Sequence, residues 1–248
     1  MTFNKELLCF FDLETTGLDT NKESIIQFGA CNYTGKNTFL KYCYPSNNTN
    51  NLNTEIHGIS YNDLVNNNAC SINDILNKFI EWVNDNFKEE RVYLIAHNCF
   101  NFDLLILEQE FKRQKLCIPE KWIFIDSLLQ FKEFNKSIGY GNYSLTKLFN
   151  NITNSKLVNA HDALIDSIAL SYVYNYLTDF KKDIFNFLLN RSYRSVYYLD
   201  INLLPIYYIN GINYYFNKIN NINKLIDMYN NNTLNKFRKK LFKLDIKS

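Results

Sequence analysis

The chain has 248 residues, 46% of them hydrophobic and 16% aromatic, which excludes a disordered protein and allows one full core with an appendage. Its net charge of +2 hides a division: residues 180–248 carry 12 Lys and Arg against 4 Asp and Glu, while residues 1–179 carry 15 against 21. A basic extension beside a carboxylate-rich body suits a polyanionic partner, and six cysteines without a C-x-x-C pair exclude a zinc cage or disulfide framework.

In chain order, an apolar run over residues 7–11 predicts a strand that ends at Asp12-Leu13-Glu14-Thr15-Thr16-Gly17-Leu18. Residues two apart on a strand share a face, so Asp12 and Glu14 converge, and two anions held together need a cation. Residues 25–33 and 38–44 predict two more strands, joined through Thr34-Gly35-Lys36 into an antiparallel meander. An Asn-rich loop then leads to Ile56-His57-Gly58-Ile59. Ser71 caps a predicted helix whose apolar positions Ile72, Ile75, Leu76, Phe79, Ile80 and Val83 follow the helical period.

Residues 92–96 form an apolar run of strand length that empties into His97-Asn98-Cys99-Phe100-Asn101-Phe102-Asp103, and a helix follows through Leu104, Leu105, Leu107 and Phe111. Polar clusters at strand-to-helix junctions are where α/β proteins keep their sites. His97 reads as packing or as support for its neighbours. A strand over residues 122–125 ends at Asp126, which reads as a helix cap, and Gly139-Tyr140-Gly141-Asn142 is a turn before a short helix capped by Ser144. Finally, Leu164, Ile165, Ile168 and Ala169 make a helical stripe behind Asn159-Ala160-His161-Asp162. Asp162 reads as the cap of that helix, and His161 must precede it or sit on its first turn to cooperate with Asp166.

Asp12, Glu14, Asp103, Asp166 and His161 thus come from three separate places at element ends. Phosphodiester hydrolysis needs such a set: carboxylates for two divalent ions, and an imidazole that accepts the proton of the attacking water. Magnesium suits oxygen ligands and a shell shared with phosphate.

The chain resembles the DEDDh 3′-5′ exonucleases of the ribonuclease H-like superfamily. Asp12 through Leu18 looks like their first motif, His97-Asn98 through Phe102-Asp103 their second, and His161 with Asp166 their third. The gap of three residues between His97-Asn98 and Phe102-Asp103 is similar to that of the three-prime repair exonucleases. The resemblance spans residues 7–178 and implies an α/β domain over 1–179, with a central mixed sheet of about five strands flanked by helices. It further implies that Asp12, Glu14, Asp103 and Asp166 bind two Mg²⁺ ions, for which Mn²⁺ can substitute, and that His161 is the general base. Thr15, Leu18, His57 and Asn98 would receive the 3′ terminus of the substrate, the alternatives being a structural hydrogen bond within its loop for His57 and orientation of the loop for Asn98. The expected substrate is DNA with a 3′ end, the alternatives being an exoribonuclease and a non-catalytic nucleic-acid-binding module.

Residues 180–248 fall outside the resemblance and predict a basic, mostly helical extension. Lys236, Arg238, Lys239, Lys240, Lys243 and Lys247 suit a phosphate track, or the solvated face of a terminal helix. No apolar leader opens the chain, and the stretch 196–216 is broken by Asp200, Pro205 and several Asn. The expectation is an intracellular protein, cytoplasmic or nuclear, neither secreted nor membrane-bound.

Overall fold

The computed structural model describes residues 5–46, 52–88, 91–134, 143–180, 193–197 and 205–209. Strands β1 (Leu8–Thr15), β2 (Ile25–Asn32) and β3 (Thr38–Tyr42) form the expected antiparallel meander. Two short helices, α1 (Thr54–His57) and α2 (Tyr61–Asn66), then precede α3 (Ile72–Asn86). Next come β4 (Val92–Ala96), α4 (Asp103–Arg113), β5 (Trp122–Asp126) and α5 (Ser127–Phe134), followed by α6 (Leu145–Thr153) and α7 (Ala163–Phe180). β4 lies parallel to both β1 and β5, so the sheet is mixed, with β1 central in the order β3-β2-β1-β4-β5.

Period-2 alternation on β1 sorts the molecule into two layers. Cys9, Phe11 and Leu13 face the layer of α3 and α4, where Phe79 contacts Phe28, Phe39, Trp82 and Trp122. Leu8 and Phe10 face α7, where Phe10 meets Tyr174 edge-on at 5.4 Å. Asp12 and Glu14 continue that second face, so the same periodicity that buries Phe10 under α7 aims both acids at the helix's first turn. The sheet opens at this point. Pairing to β4 ends at Phe10–Ile95, whereas pairing to β2 continues through Asp12–Gly29 and Glu14–Gln27. Asp12 and Glu14 therefore lie within β1, which runs on past the apolar stretch to Thr15.

Gly29, opposite Asp12, lets α7 come close. A Cβ there would lie 2.2 Å from the Ala163 carbonyl carbon and 2.3 Å from the Leu164 nitrogen. The Ser167 hydroxyl seals the contact, 2.7 Å from Ala163 O and 3.1 Å from Gly29 O. Gly29→Ala forces backbone against backbone and is expected to cost about 1–3 kcal/mol. A thermal melt checks this: the variant should melt several degrees below wild type and lose activity with it.

Two antiparallel strands, β6 (Tyr193–Tyr197) and β7 (Pro205–Ile209), extend the sheet beyond β5 to seven strands. These ten residues of the extension are strand, and the remainder of 181–248, on which the expectation of a mostly helical segment chiefly bears, lies outside the described residues. Aromatic and β-branched residues favour pairing with the edge that β5 would otherwise leave open, and Pro205 takes the first position of the outermost strand. The six basic residues of 236–247, the Asn-rich residues 47–51 and the turn at 139–142 lie outside the described residues. All six cysteines are free, as expected. Among the described residues, no helix is long and apolar enough to cross a membrane.

Candidate active site

A cleft of about 330 Å³ opens where β1 parts from β4, and its lining includes Asp12, Glu14, Asp103, His161 and Asp166. The structure thus brings together every acid and imidazole singled out for chemistry. Glu14, His161 and Asp166 are tightest, each offering one ligand atom, all within 4.8 Å of one another.

Each arrives by a different local device. Asp103 begins α4 after a tight turn at Cys99–Asn101, whose first bend is made by Asn98 in the left-handed region (φ 68°). It is buried at 3% exposure and is reached by the Leu13 backbone N–H, which β4 leaves unpaired as the strands separate. Asp166 lies on the first turn of α7. His161 precedes the helix in a left-handed conformation (φ 71°), and its backbone N–H donates to Asp166 Oδ2 at 2.9 Å. The five-residue spacing, awkward on a helix, is resolved by leaving it.

Neighbouring carboxylates serve as caps, as expected. Asp162 Oδ1 accepts from the Leu164 and Ile165 N–H groups at the start of α7. Asp126 Oδ1 accepts from Leu128 and Leu129 at the start of α5, and its Oδ2 accepts from Phe100 N–H, which ties down the turn before Asp103. Burial pushes Asp126 up to about 6.

The residues expected to receive substrate divide. Leu18 is 76% exposed on the rim, and Ile56, 52% exposed, lines the same cleft; apolar side chains left in water beside a polar floor suit stacking against a base. Thr15 presents backbone, because its hydroxyl donates to Gly17 O at 2.7 Å. His57 lines the cleft, but Nδ1 accepts from Ile59 N–H at 3.1 Å and Nε2 donates to Leu52 O, so both ring nitrogens serve its own loop. Asn98 accepts from Asn101 Nδ2 at 2.9 Å and shapes the turn before Asp103. His97 donates from Nε2 to Tyr143 O at 2.8 Å and lies 3.1 Å from Ser127 Oγ, joining the end of β4 to α5 and the segment before α6. Burial pushes it down to about 4.

Sequence reasoning missed several contributors. Ile56 and Asn53 sit in a stretch read as loop, yet Asn53 Nδ2 donates to Thr16 O at 2.6 Å and fixes the turn that carries Leu18. Arg113 braces that turn from behind, with its guanidinium on Glu23 O and Asn21 O at 2.7 and 3.0 Å and on the buried Glu110 carboxylate at 3.0 Å. Gln27 was visible as the one polar side chain inside the apolar run of β2.

The site's electrostatics show what it lacks. Asp12 is pushed far above the usual carboxylate range by burial, then by Asp103, Glu14, Asp166 and Asp162. Glu14 rises to about 8 from burial and then from Asp166, Asp103 and Asp162, and Asp103 rises to about 8, chiefly from burial. Asp166 is also raised, by burial first. Among the described residues no Lys or Arg lines the cleft. Crowded, desolvated oxygen donors with no side-chain cation fit divalent metal ions.

A pH effect follows. Acids with raised folded-state values hold protons that the unfolded chain has released, so metal-free stability must fall as pH rises from the ordinary carboxylate range through about 8. His57 and His97, pushed down by burial, oppose this only on the acid side of 6.5. In EDTA the melting temperature is therefore expected to fall between pH 6.5 and 8.5, and saturating Mg²⁺ or Mn²⁺ should flatten the slope. A metal-free melting temperature that rises over this interval would contradict the arrangement.

Comparison with known proteins agrees with this geometry. Residues 9–174 match the ribonuclease T family, described as Exonuclease. The chain belongs to that exonuclease family. It is 32% identical over 173 residues to Exonuclease DPD1, chloroplastic/mitochondrial, of Arabidopsis thaliana, covering 67% of this chain and 54% of the relative. The chain thus spans about half the length of that relative. Its fold is that of E. coli exonuclease I, solved in a zinc-bound complex with single-stranded DNA (TM-score 0.60, 16% identity, 74% of this chain and 43% of the other). Cell-death related nuclease 4 has it too (TM-score 0.57, 18% identity, 70% and 64%). These likenesses make the fold ribonuclease H-like, and the exonuclease family match spans β1 through most of α7.

Proposed function

We propose that this chain is a 3′-5′ exonuclease that releases nucleoside 5′-monophosphates from DNA. The observation that carries the reading is the convergence of Asp12, Glu14, Asp103, Asp166 and His161 in one cleft rimmed by exposed Leu18. A cleft with an apolar rim over an acidic floor suits the end of a strand, its last base against Leu18 and its last phosphate over the carboxylates. In this reading residues 1–179 are the exonuclease domain, and the basic residues of 180–248 attract the rest of the strand.

Asp12, Glu14 and Asp166, with Asp103 beside them, would hold two divalent ions, Mg²⁺ by preference. When bound, such ions neutralise the scissile phosphate and make water a better nucleophile. The exposed ring of His161 takes the proton of the attacking water, and Asp166 fixes the backbone that presents it. Water adds to phosphorus, the bond to the 3′ oxygen of the preceding nucleotide breaks, that oxygen takes a proton from solvent, and a shortened strand with a free 3′ hydroxyl leaves. Thr15 backbone and Leu18 hold the departing nucleotide in place meanwhile.

The test is a time course on matched 5′-labelled single-stranded DNA, duplex DNA and RNA, with Mg²⁺ or Mn²⁺ and with EDTA. A ladder shortening from the 3′ end of DNA, abolished by EDTA and restored by metal, is expected. Faster digestion of RNA would replace DNA as substrate, and binding without shortening would leave a non-catalytic module.

A further inference from the structure

Gln27 is buried at 1% exposure on β2, paired in register with Glu14, and its side-chain amide is committed to the N-terminus of α7. Nε2 donates to Asp162 Oδ2 at 3.1 Å, and Oε1 accepts the Ala163 N–H at 2.8 Å. Chemistry fixes this orientation, because a carboxylate only accepts and a backbone N–H only donates. The Tyr42 hydroxyl, opposite on β3, is a further hydrogen-bonding neighbour of the same side chain. Asp162 uses its other oxygen to cap the helix, so one amide grips both the cap and the first helical residue.

Everything that α7 brings to the cleft hangs on this junction. His161 immediately precedes Asp162, and Asp166 N–H makes the first helical bond, 2.9 Å to Asp162 O. The turn before the helix holds two non-glycine residues in the left-handed region, Asn159 and His161, residue types that tolerate it better than most but still adopt it infrequently.

We propose that Gln27 is a positioning residue: its amide locks the first turn of α7 to β2 and so sets where His161 and Asp166 stand relative to Glu14. The inference rests on the exonuclease reading for its kinetic consequence but not for its structural one. A misplacement of about 1 Å in a catalytic group costs ~10²-fold in rate. Gln27→Met keeps the volume and removes both bonds. Gln27→Glu keeps acceptance from Ala163 N–H but sets a second carboxylate against Asp162. Asp162→Asn keeps the cap but turns an amide nitrogen toward the nitrogen of Gln27. Joining Gln27→Glu with Asp162→Asn exchanges amide and carboxylate, which restores every bond with the total charge unchanged.

The experiment measures kcat and KM on a 5′-labelled strand, together with histidine ring resonances of the metal-free protein by NMR. Only three histidines contribute, and His97, remote from this junction along the chain, reports whether the fold is intact. The single variants are expected to lose ~10²-fold in kcat with KM little changed, and to shift the His161 ring signals while those of His97 stay in place. The double variant should recover both. Wild-type kcat and His161 signals in the single variants, or a double variant no better than the worse single, would overturn the proposal. Should Gln27→Met fail to fold, the exchange pair decides alone. A wild-type chain that shortens no strand would remove the exonuclease reading, and the His161 signals would still decide the role of Gln27.

Discussion

Asp12→Asn is expected to lower nucleic-acid hydrolysis by ~10³-fold or more and, without divalent ions, to make the protein more stable. The two effects have one cause. Asp12 sits where Asp103, Glu14, Asp166 and Asp162 all raise its proton affinity, so in the metal-free protein the cluster opposes folding. The amide keeps the shape and is neutral at every pH, so folding no longer has to take up a proton at this position. A gain of about 1–2 kcal/mol is the usual size when an active-site conflict is relieved, and corresponds to ~2–8 °C in a domain this large. Metal reverses the order, because ions that bind only the folded state stabilise it by mass action and wild type binds them better. Melting temperatures of the two proteins in EDTA and in saturating Mg²⁺ should therefore fall in opposite orders. A variant that hydrolyses DNA normally, or melts below wild type in EDTA, would show that Asp12 is not part of a metal-binding cluster.

His161→Asn is expected to cost ~10²–10⁴-fold in turnover, the usual worth of a general base, with folding retained. Asparagine is the informative replacement. His161 has φ 71°, a region that Asn tolerates and Ala resists, so the turn and its backbone bond to Asp166 survive. The imidazole also lies within reach of Glu14 and Asp166 as a potential ligand. Base and ligand separate in one measurement. If His161 moves protons, Mg²⁺ will raise the melting temperature of the variant as much as that of wild type while turnover collapses. A markedly smaller rise would make His161 a ligand instead.

What could be read from the chain was whatever short-range periodicity encodes. Asp12 and Glu14 announce a shared face by their spacing of two, the stripe Leu164, Ile165, Ile168 and Ala169 announces α7, and the apolar run 92–96 announces a strand buried on both faces. The helices α1 and α2 were missed because each is too short for a period to show, and Asn53, Ile56 and the brace of Arg113 were missed with them or behind them. The pairing of β6 with β5 could not be read either, because it depends on the open edge that β5 offers, a property of the sheet that no local window contains.

The sequence by itself singled out the candidates, four carboxylates and one imidazole, and placed them at or near the junctions of elements. Only the tertiary structure decided that they meet. The strand β1 outruns β4 and opens a cleft, Gly29 lacks the Cβ that would hold α7 away, and Gln27 grips Asp162 and Ala163 across 135 and 136 residues of chain. Local physics repeats every two or 3.6 residues and leaves a pattern. A contact made once, between residues so far apart, leaves only a buried glutamine and a glycine in an apolar strand.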